Sequence, residues 1–102
     1  MRVGYSVLKE INEKAFTPSA SDYGLTQREF ENFIFFLEQK GYVEKVLRVN
    51  ERFSLNTARL TAKGIELLEE NKLYMESYPE RSGLKAWIQV DKELYSNGAE
   101  AE

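Results

Sequence analysis

The sequence predicts a mainly α-helical α+β domain carrying one small β-hairpin. Three observations carry that expectation: amphipathic stripes at helical spacing, a block rich in β-branched and aromatic residues at Tyr42–Val49, and two sharply capped helix starts at Thr26 and Thr61. The 102 residues, 42% apolar and 30% charged, fit one domain with one modest core. With no cysteine, the chain can form neither a disulfide nor a Cys-based zinc site. With no histidine, it lacks the commonest general base and the commonest metal ligand. The longest apolar run, Phe33 to Leu37, falls far short of the roughly 20 residues that cross a bilayer. Met1 to Ser6 opens no stretch of signal-peptide type, so a soluble, cytoplasmic chain without a membrane partner is expected.

The first element is a helix over Arg2 to Lys14. Gly4, Val7, Leu8, Ile11 and Ala15 form its apolar stripe, with Lys9, Glu10, Asn12 and Glu13 largely opposite. Phe16-Thr17-Pro18 stops it, because the residue before proline is pushed out of the α region. Ser19 with Asp22 three residues on opens a very short helix that Gly24 can end in a left-handed turn. Thr26 and Glu29 then make a capping box, Leu25 and Phe30 a hydrophobic staple, and Gly41 a stop after Lys40. On that helix Phe30, Phe33, Ile34 and Leu37 form the buried stripe. Arg28, Glu31, Asn32, Phe35 and Gln39 fall on the far side, and Gln27 and Phe36 near its boundaries.

Tyr42 to Val49 reads as one strand, Asn50-Glu51-Arg52 as a hairpin turn, and Phe53-Ser54-Leu55 as the start of the return strand. Asn56 to Arg59 is either a second bend or more of that strand. Leu60, Thr61 and Ile65 repeat the staple geometry and open a helix to about Asn71. Leu73 to Tyr78 is either a frayed extension or a linker. Pro79 suits a helix start, and Leu84, Trp87 and Ile88 with Leu94 or Tyr95 give a last stripe, ended by Ser96-Asn97-Gly98. The expected division is residues 1–72 as the domain, 73–96 as a helical extension packed on it, and 97–102 as a disordered tail.

Helix, short helix, tight turn, long helix, hairpin, helix is the order of a winged helix-turn-helix, here with a C-terminal helical extension. Gly24-Leu25-Thr26, the passage Leu37 to Val43 and Leu60-Thr61-Ala62-Lys63-Gly64 are similar to many bacterial winged-helix proteins. Residues 5–90 resemble the YjcQ family of small uncharacterised proteins from Gram-positive bacteria and their phages, with matching stretches at Tyr5–Glu10, Gly24–Phe30 and Lys85–Ile88. The resemblance implies the fold and brings no activity or site residues with it.

The sharpest functional expectation is binding of double-stranded DNA, as in a transcription regulator. Gln27, Arg28, Glu31 and Asn32 would face a major groove, since Arg and Asn or Gln can form paired hydrogen bonds to a purine edge. Lys45, Arg48, Arg52 and Arg59 would meet phosphates, with Glu44 and Glu51 subtracting. The charge balance limits this. Residues 1–63 hold 10 Lys/Arg against 8 Asp/Glu, and residues 64–102 hold 4 against 9, so the whole chain carries −3. The opposing possibility is a solvated face on a structural helix. Phe35, opposite the core stripe, is either covered by the hairpin or the C-terminal helix, or is a contact for a protein partner or a second copy. Tyr74, Met75, Tyr78, Trp87 and Tyr95 either cover the core or serve self-association. A winged helix used as a protein-interaction module is therefore the alternative. Catalysis is not expected: Glu69-Glu70 and Glu29/Glu31 are ordinary helix-surface carboxylates, and no phosphate loop or serine elbow occurs. No cofactor and no metal is expected, since Glu66 and Glu70 without an aspartate-rich loop make a negligible cation site.

Overall fold

The computed structural model describes residues 2–89. Helix α1 spans Arg2–Glu13, a single 3-10 turn Ala20–Tyr23, and α2 Gln27–Gln39. Four short strands follow, β1 Val43–Glu44, β2 Leu47–Val49, β3 Arg52–Ser54 and β4 Arg59–Leu60, then α3 Ala62–Glu70. Two further 3-10 turns, Lys72–Ser77 and Arg81–Gly83, lead into a helical stretch at residues 84–89. The expected stripe residues Leu94 and Tyr95, the stop at Ser96–Gly98 and the tail at Ala99–Glu102 lie outside the described residues.

The capped starts sit where the sequence places them. Thr26 Oγ1 accepts from the Glu29 backbone N–H at 3.1 Å, and the Glu29 carboxylate accepts from the Thr26 N–H at 2.8 Å. Thr61 Oγ1 likewise accepts from the Gly64 N–H at 3.1 Å. Phe30, Ile34 and Leu37 are buried, while Phe33 is only half-buried because it stacks on Phe36 near the helix surface.

Helix α1 departs from the amphipathic expectation. Every residue from Gly4 to Ile11 is buried, Lys9 and Glu10 included. The cause is the C-terminal segment, which covers the face the local pattern assigns to water. Tyr78 donates its hydroxyl to the Glu10 carboxylate, and Lys9 Nζ sits 4.4 Å from the Tyr78 ring centre and 3.0 Å from Glu13 Oε1. Ser6 Oγ is hydrogen-bonded to the hydroxyls of both Tyr23 and Tyr78 at 2.9 Å. The Arg2 guanidinium lies over Trp87 at 4.8 Å and over Tyr74 at 5.6 Å. Tyr74, Tyr78 and Trp87 thus cover the core with Leu84 and Ile88, whereas Met75 stays exposed. At its C-terminal end α1 stops at Glu13 rather than Lys14, because Lys14 turns left-handed (φ 57°), and Ala15 is exposed outside the stripe.

The hairpin is also more broken than one strand and its return. Lys45 adopts φ 66°, which splits Tyr42–Val49 into β1 and β2. The two halves pair separately and antiparallel: β1 with β4 through Val43↔Leu60, and β2 with β3 through Val49↔Arg52. Asn50 and Glu51, at φ 50° and 66°, make the two-residue turn that right-twisted strands favour. Leu55 to Ala58 is a second bend, so Asn56–Arg59 does not continue β3. Pro79 starts no helix; the chain stays irregular over residues 78–80 and turns helical only after Glu80.

Asp22 ties the C-terminal segment to the short 3-10 turn by accepting from Arg81 Nε at 2.8 Å and from the Ser19 N–H at 2.9 Å. Burial pushes the Asp22 carboxyl up, but the Arg81 and Ser19 hydrogen bonds outweigh it and hold the carboxyl below its ordinary 3.8. A lowered carboxylate value gives stability that is present above about pH 4 and lost as the pH falls through the folded value. The stability difference between native protein and Arg81→Ala is therefore expected to shrink between pH 6 and pH 2.5 in thermal melts. An unchanged difference would separate Arg81 from this ionisation.

Candidate nucleic-acid interface

The outward side of α2 begins with Gln27, Arg28 and Asn32, all exposed. Arg28 and Asn32, four apart, share one helix face. Gln27 donates from Nε2 to Glu31 Oε2 at 2.7 Å, which aligns that pair along the helix instead of leaving Gln27 unengaged. The sequence-predicted base-facing residues are therefore together at the N-terminal half of α2. That end of a helix also favours anions.

The wing, β2 and β3 with their turn, leans on α2 through its inner face. Phe53 meets Phe30 edge-on at 6.2 Å. Arg48, opposite Phe53 in the ladder, lies 5.9 Å from the Phe35 ring centre and 5.6 Å from that of Phe53. Its guanidinium pairs with Glu38 Oε1 at 2.6 Å, as an ion pair and not a well-aligned hydrogen bond. Arg59 pairs with Glu44 at 2.6 Å. Two of the four expected phosphate-facing residues are thus engaged by acids within the chain, and they fasten strands to neighbours. Arg28, Lys45 and Arg52 form no ion pair among the described residues and are exposed.

The Arg48–Glu38 pair was invisible in the sequence, because the turn at Gly41 and the kink at Lys45 bring the two residues together. Lys40, exposed and 5.6 Å from the Phe36 ring centre, adds a cation that the helix reading overlooked. Its position in the last turn before a glycine stop was the available signal. Phe35 remains 52% exposed, so Arg48 borders the ring without covering it. Phe36, Leu47 and Val49 are exposed as well. Among the described residues, no group of three or more acidic side chains is placed to hold a metal ion. No helix among them is long and apolar enough to cross a membrane.

A buried first helix, a one-turn helix, a capped outward-facing helix and a small antiparallel wing define an α+β domain of winged-helix-like layout. No family model matches the chain. The protein described as uncharacterized protein YjcQ of Bacillus subtilis (strain 168) is 33% identical over 89 residues, covering 85% of this chain and 95% of that one. The solution NMR structure of the same Bacillus subtilis protein superposes with a TM-score of 0.57 and covers 69% of this chain and 92% of that one. The chain belongs to the YjcQ family.

Proposed function

We propose that this protein binds double-stranded DNA as a small cytoplasmic regulator without catalytic activity. In this reading Arg28, Asn32 and Gln27 of α2 face a groove, while Lys45 and Arg52 of the wing face phosphates. The observation that carries it is the joint exposure of Arg28 and Asn32 on one helix face beside a wing whose Lys45 and Arg52 have no acid partner among the described residues. Arg48 serves here to tie the wing to α2, and Arg59 to tie β4 to β1. Glu31 and Glu51 reduce the attraction, so binding depends on few cations, and it weakens with salt in proportion to those few phosphate contacts.

Titration of a labelled random duplex at two salt concentrations tests the reading. Lys45→Ala with Arg52→Ala is expected to weaken binding to all duplexes alike. The pair should also reduce the log–log salt slope by about 2, since each phosphate contact contributes roughly 0.9. Unchanged affinity would remove the wing from the interface. Arg28→Ala should instead shift sequence preference, and equal loss on every duplex would show that Arg28 reads no base.

The exposed aromatic pair Phe35 and Phe36 favours a second reading, a winged helix that docks on a protein. Phe35→Ala is then expected to abolish association while changing stability by less than about 1 kcal/mol, because half the ring already contacts water. A large fall in melting temperature would make the ring structural. Such an apolar contact would also be nearly indifferent to salt, unlike a phosphate interface.

A further inference from the structure

Arg28, Glu31, Asn32 and Phe35 stand at positions i, i+3, i+4 and i+7 of α2. At about 100° per residue, that spacing keeps all four within a sector about 100° wide. It is the spacing with which a groove-seated recognition helix brings four side chains to base edges. Phe35 keeps 52% of its surface exposed. It lies about 10 Å along the helix axis from Arg28, at about 1.5 Å per residue. The Arg48 guanidinium stands 5.9 Å from the ring centre and is itself paired with Glu38 at 2.6 Å, so the ring is flanked on one side while half its surface stays open. Phe36 points about 100° further round the helix and stacks on Phe33 at 6.2 Å, so it belongs to the flank and not to this face. Glu31 is engaged by Gln27 Nε2 at 2.7 Å, which leaves Arg28, Asn32 and Phe35 to meet a ligand.

We propose that Phe35 is a specificity-determining residue of this face, selecting thymine by packing on its C5 methyl group in the major groove. The proposal rests on the double-stranded DNA reading above and adds the base that the apolar part of the face accepts. The thymine methyl is the one apolar group that base edges present in the major groove; adenine, guanine and cytosine show donors and acceptors. A phenyl ring pressed against those groups strands them without partners, which costs free energy. Against a methyl, the same ring removes apolar surface from water on both sides of the contact. Arg28 and Asn32 carry the complementary preference for purine edges. At about 3.4 Å per base pair, the offset along α2 sets the thymine about three base pairs from the base that Arg28 contacts.

The test begins with a randomised duplex pool enriched on the native protein. The enriched duplex is then remade with each thymidine replaced singly by deoxyuridine, which lacks only that methyl. Native protein is expected to lose about fourfold in affinity at one thymidine, the worth of one buried methyl. Phe35→Ala should lose the same factor on the thymidine duplex and become indifferent to the exchange. Losses below about twofold at every exchange would overturn the proposal and leave DNA binding standing. A Phe35→Ala variant as sensitive to the exchange as native protein, or an enriched duplex without thymidine, would do the same. No enrichment and no duplex binding would overturn the DNA reading and this proposal together. The exchange on native protein decides the matter even if Phe35→Ala fails to fold.

Discussion

Gly64→Ala is expected to lower the melting temperature by more than about 10 °C, the largest effect of any single methyl addition in the described chain. A Cβ at Gly64 would stand 2.2 Å from the Tyr42 carbonyl oxygen and 3.3 Å from Leu60 Cβ. The obstacle is backbone, and it is held in place: the same Tyr42 carbonyl accepts from the Thr61 N–H at 3.0 Å. Relief requires α3 to move off the β1–β4 pair, with loss of that bond and of the Thr61 cap. Overpacking costs about 1–3 kcal/mol even where side chains can yield, so a loss of about 3 kcal/mol or more follows. Each kcal/mol lowers the melting point of a domain this size by roughly 4 °C or more. Gly41→Ala is the control. It must keep φ 81° but has its nearest contact at 3.8 Å, so its cost is limited to about 1–2 kcal/mol of backbone strain. Similar melts for the two variants would show that α3 shifts without penalty.

Tyr78→Phe is expected to destabilise by about 2–3 kcal/mol although it removes only one hydroxyl. That oxygen donates to Glu10 and bonds Ser6 Oγ at 2.9 Å, so its loss leaves a buried carboxylate with neither oxygen hydrogen-bonded. Stranding a buried charged acceptor costs more than a neutral one. The ring itself stays, with its edge contacts to Tyr5 at 6.1 Å and Trp87 at 5.1 Å, so the packing contribution is retained. Denaturant unfolding should show a lower midpoint at unchanged m-value. A loss below about 0.5 kcal/mol would mean that water replaces the hydroxyl. The same residues govern the alkaline limit. Burial pushes both Tyr23 and Tyr78 above their ordinary 10.0, so stability is whole below pH 10 and declines as the pH rises beyond it.

The capped helices were legible because their signals are local. Thr26 with Glu29, and Thr61 three residues before Gly64, fix their helix starts through atoms a turn away. The winged order followed from them, as did the outward position of Arg28 and Asn32. What escaped was long-range. Lys9 and Glu10 read as solvent-facing until Tyr78, 68 residues downstream of Glu10, covers them. Arg48 read as a phosphate contact because nothing nearby marks Glu38 as its partner. Lys45 broke the strand through a left-handed backbone that its side chain does not announce. The expected residues of α2 lie exposed together, whereas on the hairpin charge counting could not tell Arg48 and Arg59, engaged by acids, from Lys45 and Arg52.

The envelopment of α1 has a consequence for synthesis. Arg2 donates to the Trp87 carbonyl across 85 positions of chain. A nascent polypeptide therefore carries its first helix unfinished, with the Lys9 ammonium and the Glu10 carboxylate awaiting shelter, until Trp87 has been translated. Folding of the central element cannot be completed from the N-terminus onward, and truncated products would be substrates for quality control instead of working fragments.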